Sequence, residues 1–206
     1  MPNPLREFRL RRRYGEPVII VSGLPRSGTS MMMKMLAAGG IPIATDEARA
    51  ADEDNPRGYF ELERVKELDK GGDKSWLGGL RGRAVKIISF LLKDLPPDLR
   101  YRIIFMERDL DEVIASQNAM LARRGEPVDP EADGRMKRLY TDHLRRVRLA
   151  LLGQPNIEWL AVNYRRALDD PRRCARELRR FLRRRLDLEA VAIVAEPGLH
   201  RQRKNA

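Results

Sequence analysis

Runs of consecutive apolar residues alternate along the chain with stretches in which apolar residues recur at helical spacing. Consecutive apolar residues are typical of strands covered on both faces, and helical spacing is typical of helices with one buried face. The pattern predicts strands at residues 18–21, 84–89, 102–106 and 157–163, with a short edge strand at 41–43. It predicts helices at residues 31–38, 61–69, 109–121 and 136–152, and another from residue 170 onward.

The repeated order of strand and helix favours a mainly parallel sheet with helices on both faces. We therefore expect an α/β fold with a central sheet of about four to five strands. A chain of 206 residues is long enough to bury one sizeable core, and two domains would be cramped. The sequence predicts a single domain over residues 1–206, with basic tails at residues 1–15 and 200–206.

Basic residues outnumber acidic ones, with 41 lysines and arginines against 30 aspartates and glutamates and a net charge of +11. A basic surface suits nucleic acid, a membrane or a polyanionic ligand. Few aromatic residues lie among the basic ones and the usual nucleic-acid-binding motifs are missing from the sequence, so we expect no specific nucleic-acid partner. We interpret the arginine run at residues 172–185 as a solvated helix face.

The single cysteine, Cys174, excludes an internal disulfide and a cluster of thiolate metal ligands. No apolar run approaches the length of a membrane span, and residues 1–13 lack the apolar core of a secretion signal. These features predict a soluble cytoplasmic protein. The oligomeric state stays open.

The most informative motif follows the first predicted strand. Gly23 and Gly28 have the spacing of a Walker phosphate-binding loop, and a predicted helix comes directly after them. The backbone N–H groups of such a turn and the positive end of the helix dipole converge on one point, which predicts an anion site. Thr29 and Ser30 stand where a Walker loop has its lysine and hydroxyl, so the lysine is missing and its charge has moved to Arg26.

The segment Pro-Arg-Ser-Gly-Thr at residues 25–29 resembles the 5′-phosphosulfate-binding loop of the sulfotransferases. This resemblance implies a three-layer, P-loop-like fold and the donor 3′-phosphoadenosine 5′-phosphosulfate (PAPS), used without a metal. It implies that the donor is bound by five residues of the loop and the helix start, namely Arg26, Ser27, Gly28, Thr29 and Ser30. The alternative is an ordinary turn in which Arg26 is a solvated charge.

A second motif lies at the end of the strand predicted at residues 102–106. Arg108 follows this strand and Ser116 comes eight residues later, on the next predicted helix, so that the two side chains can grip one phosphate. Their spacing resembles the 3′-phosphate motif of the sulfotransferases, which implies that they bind the far end of the donor. The alternative is an arginine paired with Asp109 or Glu112.

The resemblance implies two further site residues. Lys86 corresponds to a strand lysine near the transferred sulfonate, and Tyr164 corresponds to a tyrosine near the adenine. The alternatives are a lysine that reaches water from an edge strand and a tyrosine in the core or at a helix start. Three basic residues of the carboxyl-terminal tail are also candidates for the 3′-phosphate: Arg201, Arg203 and Lys204.

The general base departs from the pattern of the better-known sulfotransferases. Cytosolic members have Lys-Thr-His where this chain has Lys-Ile-Ile, so Ile88 stands at the position of the histidine. Other members use glutamate, and Glu61 is the leading candidate because it follows a turn and an aromatic pair. Three loop carboxylates are weaker candidates: Asp52, Glu53 and Asp54. We expect the histidines, His143 and His200, at the surface.

The sequence thus predicts a PAPS-dependent sulfotransferase with Arg26, Lys86 and Glu61 as catalytic residues and with a hydroxyl or amine acceptor. Three loops are expected to contact the acceptor, at residues 44–60, 70–82 and 123–135. Their acidic and glycine-rich composition favours a polar or basic acceptor. Two alternatives stay open: a magnesium-dependent, P-loop kinase-like phosphotransferase with a degenerate Walker loop, and a non-catalytic basic protein that binds nucleotides or nucleic acid.

Overall fold

The computed structural model describes residues 4–46 and 60–195. The strands are β1 (Val18–Gly23), β2 (Ala84–Lys86), β3 (Tyr101–Glu107) and β4 (Ile157–Asn163). The α-helices are α1 (Pro4–Tyr14), α2 (Thr29–Ala38), α3 (Leu110–Arg123), α4 (Asp133–Leu152), α5 (Tyr164–Asp169), α6 (Pro171–Leu182) and α7 (Leu188–Val194). Short 3₁₀ helices lie at Glu63–Glu67, Ser75–Leu80, Ser89–Asp94 and Pro130–Ala132.

The four strands form one parallel sheet in the order β2–β1–β3–β4. Both faces of β1 are covered, since all six of its residues are buried. Ile19 and Val21 pack on one face with α2, α6 and α7, and Val18 and Ile20 pack on the other with α4 and the 3₁₀ helices. These three layers confirm the predicted α/β fold, and they explain why β1 is apolar at successive positions.

The chain leaves β1 toward β2 on one side and later returns to β3 on the other side. The connections that follow β1 and β3 therefore diverge at the carboxyl edge of the sheet, which opens a crevice between them. In open α/β sheets, ligands bind at such a switch point. The crevice lies at the carboxyl ends of β1 and β3, where the sequence places both of its candidate anion-binding motifs.

Two predicted helix starts are confirmed by their caps. The Asp109 carboxylate accepts hydrogen bonds from the backbone N–H groups of Asp111 and Glu112 at the start of α3. The Asp170 carboxylate accepts one from the N–H of Arg173 at the start of α6. Each cap satisfies backbone donors that have no partner within the helix, and so fixes where the helix begins.

The basic tail predicted at residues 1–15 is instead the helix α1 over Pro4–Tyr14. Its Glu7 carboxylate accepts hydrogen bonds from Arg100 at 2.7 and 2.9 Å and from Arg102 at 2.8 Å. Both arginines are almost fully buried at the start of β3, and both also donate to Glu158. Buried guanidinium groups need such partners, so α1 is held against the amino edge of the sheet.

Three other predicted elements are shorter than expected. The strand at residues 84–89 ends at Lys86, and a 3₁₀ helix follows. The edge strand at residues 41–43 is reduced to one parallel bridge from Ile43. The helix at residues 61–69 is a 3₁₀ helix. Each segment lies at the sheet edge or in a connection, where fewer neighbours sustain regular hydrogen bonding.

Candidate anion-binding site

The loop between β1 and α2 is shaped as an anion cradle. Gly28 is the N-cap of α2, with a φ of 98°, and Arg26 has a φ of 68°. The first N–H groups of α2 have no acceptor within the helix, and the positive end of its dipole lies at the same place. Left-handed residues within a turn help to bring successive N–H groups to one side, and that concave arrangement binds anions.

Two serine hydroxyls beside the cradle are buried. Ser22 is fully covered and Ser27 is 2% exposed, and neither hydroxyl has a hydrogen-bond partner within the described residues. A side chain at Gly23 would clash, because a Cβ there would lie 2.5 Å from Ser27 Oγ and 2.7 Å from the carbonyl oxygen of Met106. A buried hydroxyl without a partner is costly, and a bound anion would use it as a donor.

The aromatic ring of Tyr164 supports the cradle from the start of α5. A Cβ on Gly28 would lie 2.4 Å from the ring, so only glycine fits at this position. The Arg108 guanidinium lies over the ring, 4.6 Å from its centroid. Tyr164 is 4% exposed, and this burial raises its pKa. The structure thus places Tyr164 in the core at a helix start, which is the alternative that the sequence left open.

Arg26, Arg108 and Ser116 lie together, although they are far apart in sequence. The Arg26 Nε donates to Ser116 Oγ at 3.0 Å, and Arg108 Nη1 donates to the Arg26 carbonyl oxygen at 3.0 Å. The Arg108 Nε donates to the buried carboxylate of Glu112 at 3.0 Å, which is the pairing named as the alternative for this arginine. Arg165 donates to the other oxygen of Glu112 at 2.9 Å. The Glu112 carboxylate therefore pairs with two guanidinium groups, and Arg26 adds a third positive charge close to them, an excess that favours a further anion.

Lys86 and Glu61 lie together on the opposite side of β1. Lys86 ends β2 beside Val21, and its Nζ donates to Glu61 Oε1 at 3.3 Å. The lysine side chain is 10% exposed and the glutamate side chain is 28% exposed. The Glu61 carbonyl oxygen accepts hydrogen bonds from Thr45 Oγ1 and from the Asp46 N–H. The structure therefore joins two residues that the sequence proposed separately as catalytic.

A cavity of about 800 Å³ opens beside the cradle on the side of β3 and β4. Its lining includes Ser27, Arg108 and Asn163, together with apolar residues of α3 and α4. Neither Arg26 nor Lys86 lines it. Ligand pockets typically enclose about 300–1,000 Å³, so the cavity is large enough for a nucleotide.

The sequence predicted His143 at the surface, but the structure places it in a partly buried position. Its ring stacks on Phe90 with 3.8 Å between the centroids, and its Nε2 lies 2.9 Å from the hydroxyl of the buried Ser89. Partial burial and the charge of Arg146 lower the pKa of His143. No local pattern in the sequence indicates this contact, because α4 and the segment after β2 are distant along the chain.

Several predicted residues lie outside the described residues. They are Asp52, Glu53, Asp54, His200, Arg201, Arg203 and Lys204, with most of the loop at residues 44–60 and the tail at 200–206. Sequence reasoning also missed Arg165, and it weighed Glu112 only as an alternative partner. Within residues 4–46 and 60–195, no group of three or more metal-ligating side chains is found.

No family model and no curated protein matches this sequence. Solved structures do match the fold. The sulfotransferase domain from the Synechococcus PCC 7002 olefin synthase aligns with a TM-score of 0.53 at 17% identity, over 87% of this chain and 77% of that chain. The sulfotransferase domain from the curacin biosynthetic pathway aligns with a TM-score of 0.49 at 16% identity, over 82% and 74% of the two chains.

Retinol dehydratase, solved in complex with androsterone and inactive cofactor PAP, aligns with a TM-score of 0.48 at 16% identity, over 92% of this chain and 67% of that chain. At 17% identity, the alignment with the Synechococcus domain shows a shared fold only. The chemistry has to be argued from the residues of this chain. The chain therefore has the fold of the sulfotransferases.

Proposed function

We propose that the protein is a sulfotransferase that moves the sulfuryl group of PAPS to a hydroxyl or amine acceptor without a metal. The observation that carries the proposal is the 3.0 Å hydrogen bond between Arg26 and Ser116. It joins the loop expected at the 5′ end of the donor to the motif expected at its 3′ end. The fold shared with the Synechococcus sulfotransferase domain supports the same conclusion.

The cradle would hold the 5′-phosphosulfate. Thr29 and Ser30 are the first residues of α2, so their N–H groups lie at the positive end of the helix dipole. The buried hydroxyl of Ser27 would add a donor. Arg26 supplies the positive charge that a Walker loop takes from its lysine. Fixed donors of this kind stabilise the charge that develops on the leaving phosphate, which is the larger part of catalysis in such transfers.

Glu61 and Lys86 would act on the acceptor side. The acceptor oxygen or nitrogen forms the new bond to sulfur as the bond from sulfur to the phosphate oxygen breaks, and the acceptor proton passes to Glu61. Lys86 holds the Glu61 carboxylate in position, and its ammonium group brings positive charge to the sheet edge beside the cradle. Adenosine 3′,5′-bisphosphate (PAP) is then released with the electron pair of the broken bond.

A magnesium-dependent kinase would need a carboxylate at the end of a strand beside β1. Glu107 ends β3, but its Oε1 accepts a hydrogen bond from Arg148 at 2.7 Å. The loop also lacks the Walker lysine on which the β- and γ-phosphates depend. These two features favour the sulfotransferase.

Thermal unfolding with different nucleotides tests the proposal. We expect PAP at 100-fold excess over its Kd to stabilise the protein by about 2.7 kcal/mol, which raises Tm by roughly 5–10 °C for a chain of this size. AMP, which lacks the 3′-phosphate, should give a smaller shift. A larger shift with ATP and magnesium would instead indicate the kinase, and tight duplex binding without a response to PAP would indicate the non-catalytic alternative.

Replacing Arg108 by glutamine is expected to weaken PAP binding about 10- to 150-fold, the range for losing a hydrogen bond to a charged group. AMP binding should change little. The substitution also leaves the buried Glu112 with one fewer partner, so the double variant Arg108→Gln/Glu112→Gln separates stability from binding. Calorimetry of both variants should show the same selective loss of PAP affinity. Equal losses for PAP and AMP would remove Arg108 from the 3′-phosphate site.

A further inference from the structure

The outer face of α1 has apolar side chains that the fold does not explain. Glu7, Leu10 and Tyr14 recur at helical spacing and form the side of α1 that faces the protein. Leu5 and Phe8 lie on the opposite side, where they are 68% and 65% exposed. Burying large apolar side chains is favourable, so two such residues on the outward side of one helix indicate a contact beyond the described residues.

Basic residues surround these two side chains. Arg9 and Arg12 share the outward side of α1 with Leu5 and Phe8, and the helix has five arginines and one glutamate. We call the residues Leu5, Phe8, Arg9 and Arg12 the α1 outer face. Glu7, the one acidic residue of α1, is turned inward onto Arg100 and Arg102. The charge that the α1 outer face presents is therefore entirely positive.

A second basic surface lies next to α1. Arg183, at the end of α6, pairs with both Glu7 and Glu158, which brings the end of α6 next to α1. Three exposed arginines extend along α6 from this point: Arg176, Arg179 and Arg180. Both helices therefore contribute to one basic region at the amino edge of the sheet.

We propose that the α1 outer face docks on the surface of a membrane that contains anionic lipids. Apolar side chains flanked by arginines on one side of a helix are the pattern of helices that lie in the membrane interface. No helix within the described residues is long and apolar enough to cross a membrane. Leu5 and Phe8 enter the boundary between headgroups and acyl chains, and the arginines contact anionic headgroups.

When α1 lies on the membrane surface, the candidate anion-binding site stays accessible from the solution. α1 is held at the start of β3, whereas the cradle and Arg108 lie at the carboxyl ends of the strands. A strand of six to seven residues spans about 20 Å, so the site faces away from the bilayer. The docking proposal does not depend on the proposed sulfotransferase activity, because it uses residues at the other edge of the sheet.

Nucleic acid is the rival occupant of a basic surface. Its backbone would be bound by the arginines alone, and Leu5 would gain nothing from phosphates or sugars. A membrane would contact both the arginines, through its headgroups, and the apolar side chains, through its acyl chains. The apolar pair therefore distinguishes the two partners, and it is also the part of the α1 outer face that substitution can remove without changing charge.

Sedimentation with vesicles tests the proposal. We expect the full chain to bind vesicles of equimolar phosphatidylcholine and phosphatidylserine, and to bind phosphatidylcholine vesicles much more weakly. The double variant Leu5→Ser/Phe8→Ser should lower the partition coefficient at least about 30-fold, from the loss of apolar burial. The matched control is Leu152→Ser/Ile193→Ser, which removes two side chains that are each 70% exposed elsewhere. It should bind like the unmodified protein.

Four outcomes would overturn the proposal. Unchanged vesicle binding by Leu5→Ser/Phe8→Ser would mean that charge alone is responsible, and an equal loss in the control would mean that the site is not α1. Duplex DNA binding without vesicle binding would assign the surface to nucleic acid. A dimer in sedimentation velocity that only the Leu5→Ser/Phe8→Ser variant loses would assign it to a second copy of the chain. Circular dichroism of each variant establishes that the fold is retained.

Discussion

Replacing Gly28 by alanine is expected to destabilise the protein by about 2–5 kcal/mol, which combines left-handed backbone strain with overpacking. Gly28 has a φ of 98°, and the added Cβ would lie 2.4 Å from the ring of Tyr164. This ring cannot easily move, because it is buried at the start of α5 and covered by Arg108. Thermal and urea unfolding should show Tm lowered by roughly 5–15 °C.

Gly125 offers a matched control for this substitution. Its φ of 70° is also left-handed, but a Cβ there would meet nothing within 4 Å. Alanine at Gly125 should therefore cost only the backbone strain, about 1–2 kcal/mol. If the two variants lost equal stability, the close approach of Tyr164 to the cradle would not contribute.

Replacing Glu61 by glutamine is expected to lower turnover by about 10² to 10⁴, the usual contribution of a general base. Glutamine keeps an oxygen that can accept the hydrogen bond from Lys86 but cannot take the acceptor proton. PAP affinity should stay close to that of the unmodified protein. Turnover is measured as PAP release from PAPS, with water alone and with 4-nitrophenol or glucosamine as acceptor.

Glu63 provides the control for a change of charge in the same segment. It lies two residues further along, is more than half exposed, and pairs with Lys66 instead of Lys86. Glu63→Gln should leave turnover unchanged. Near-normal turnover of Glu61→Gln would remove Glu61 from the mechanism, and a matching loss of PAP affinity would assign it to donor binding.

Patterns that depend on residues close together in the sequence predicted elements that the structure confirms. The apolar run of β1, the glycines that follow it and the Asp109 cap each act through neighbours a few residues away. Backbone sterics and capping hydrogen bonds operate over that range, so their pattern can be recognised without the fold. These signals were enough to predict the sheet, the loop between β1 and α2, and the position of Arg108 after β3.

Contacts between distant segments could not be predicted in this way. The basic amino-terminal segment looked like a tail because the partners of Glu7 are Arg100 and Arg102, more than 90 residues further along the chain. His143 looked exposed because Phe90 and Ser89 reach it from another element. Such pairs form only when the core brings their elements together.

The sequence by itself determined that a strand, a glycine-bounded turn and a helix start follow one another, because each part depends on local backbone geometry. Only the tertiary structure decided how the cradle is completed. It brought Ser116 to Arg26, enclosed Glu112 between Arg108 and Arg165, and paired Lys86 with Glu61. These contacts join different strands and helices, so packing of the sheet and its layers decides them.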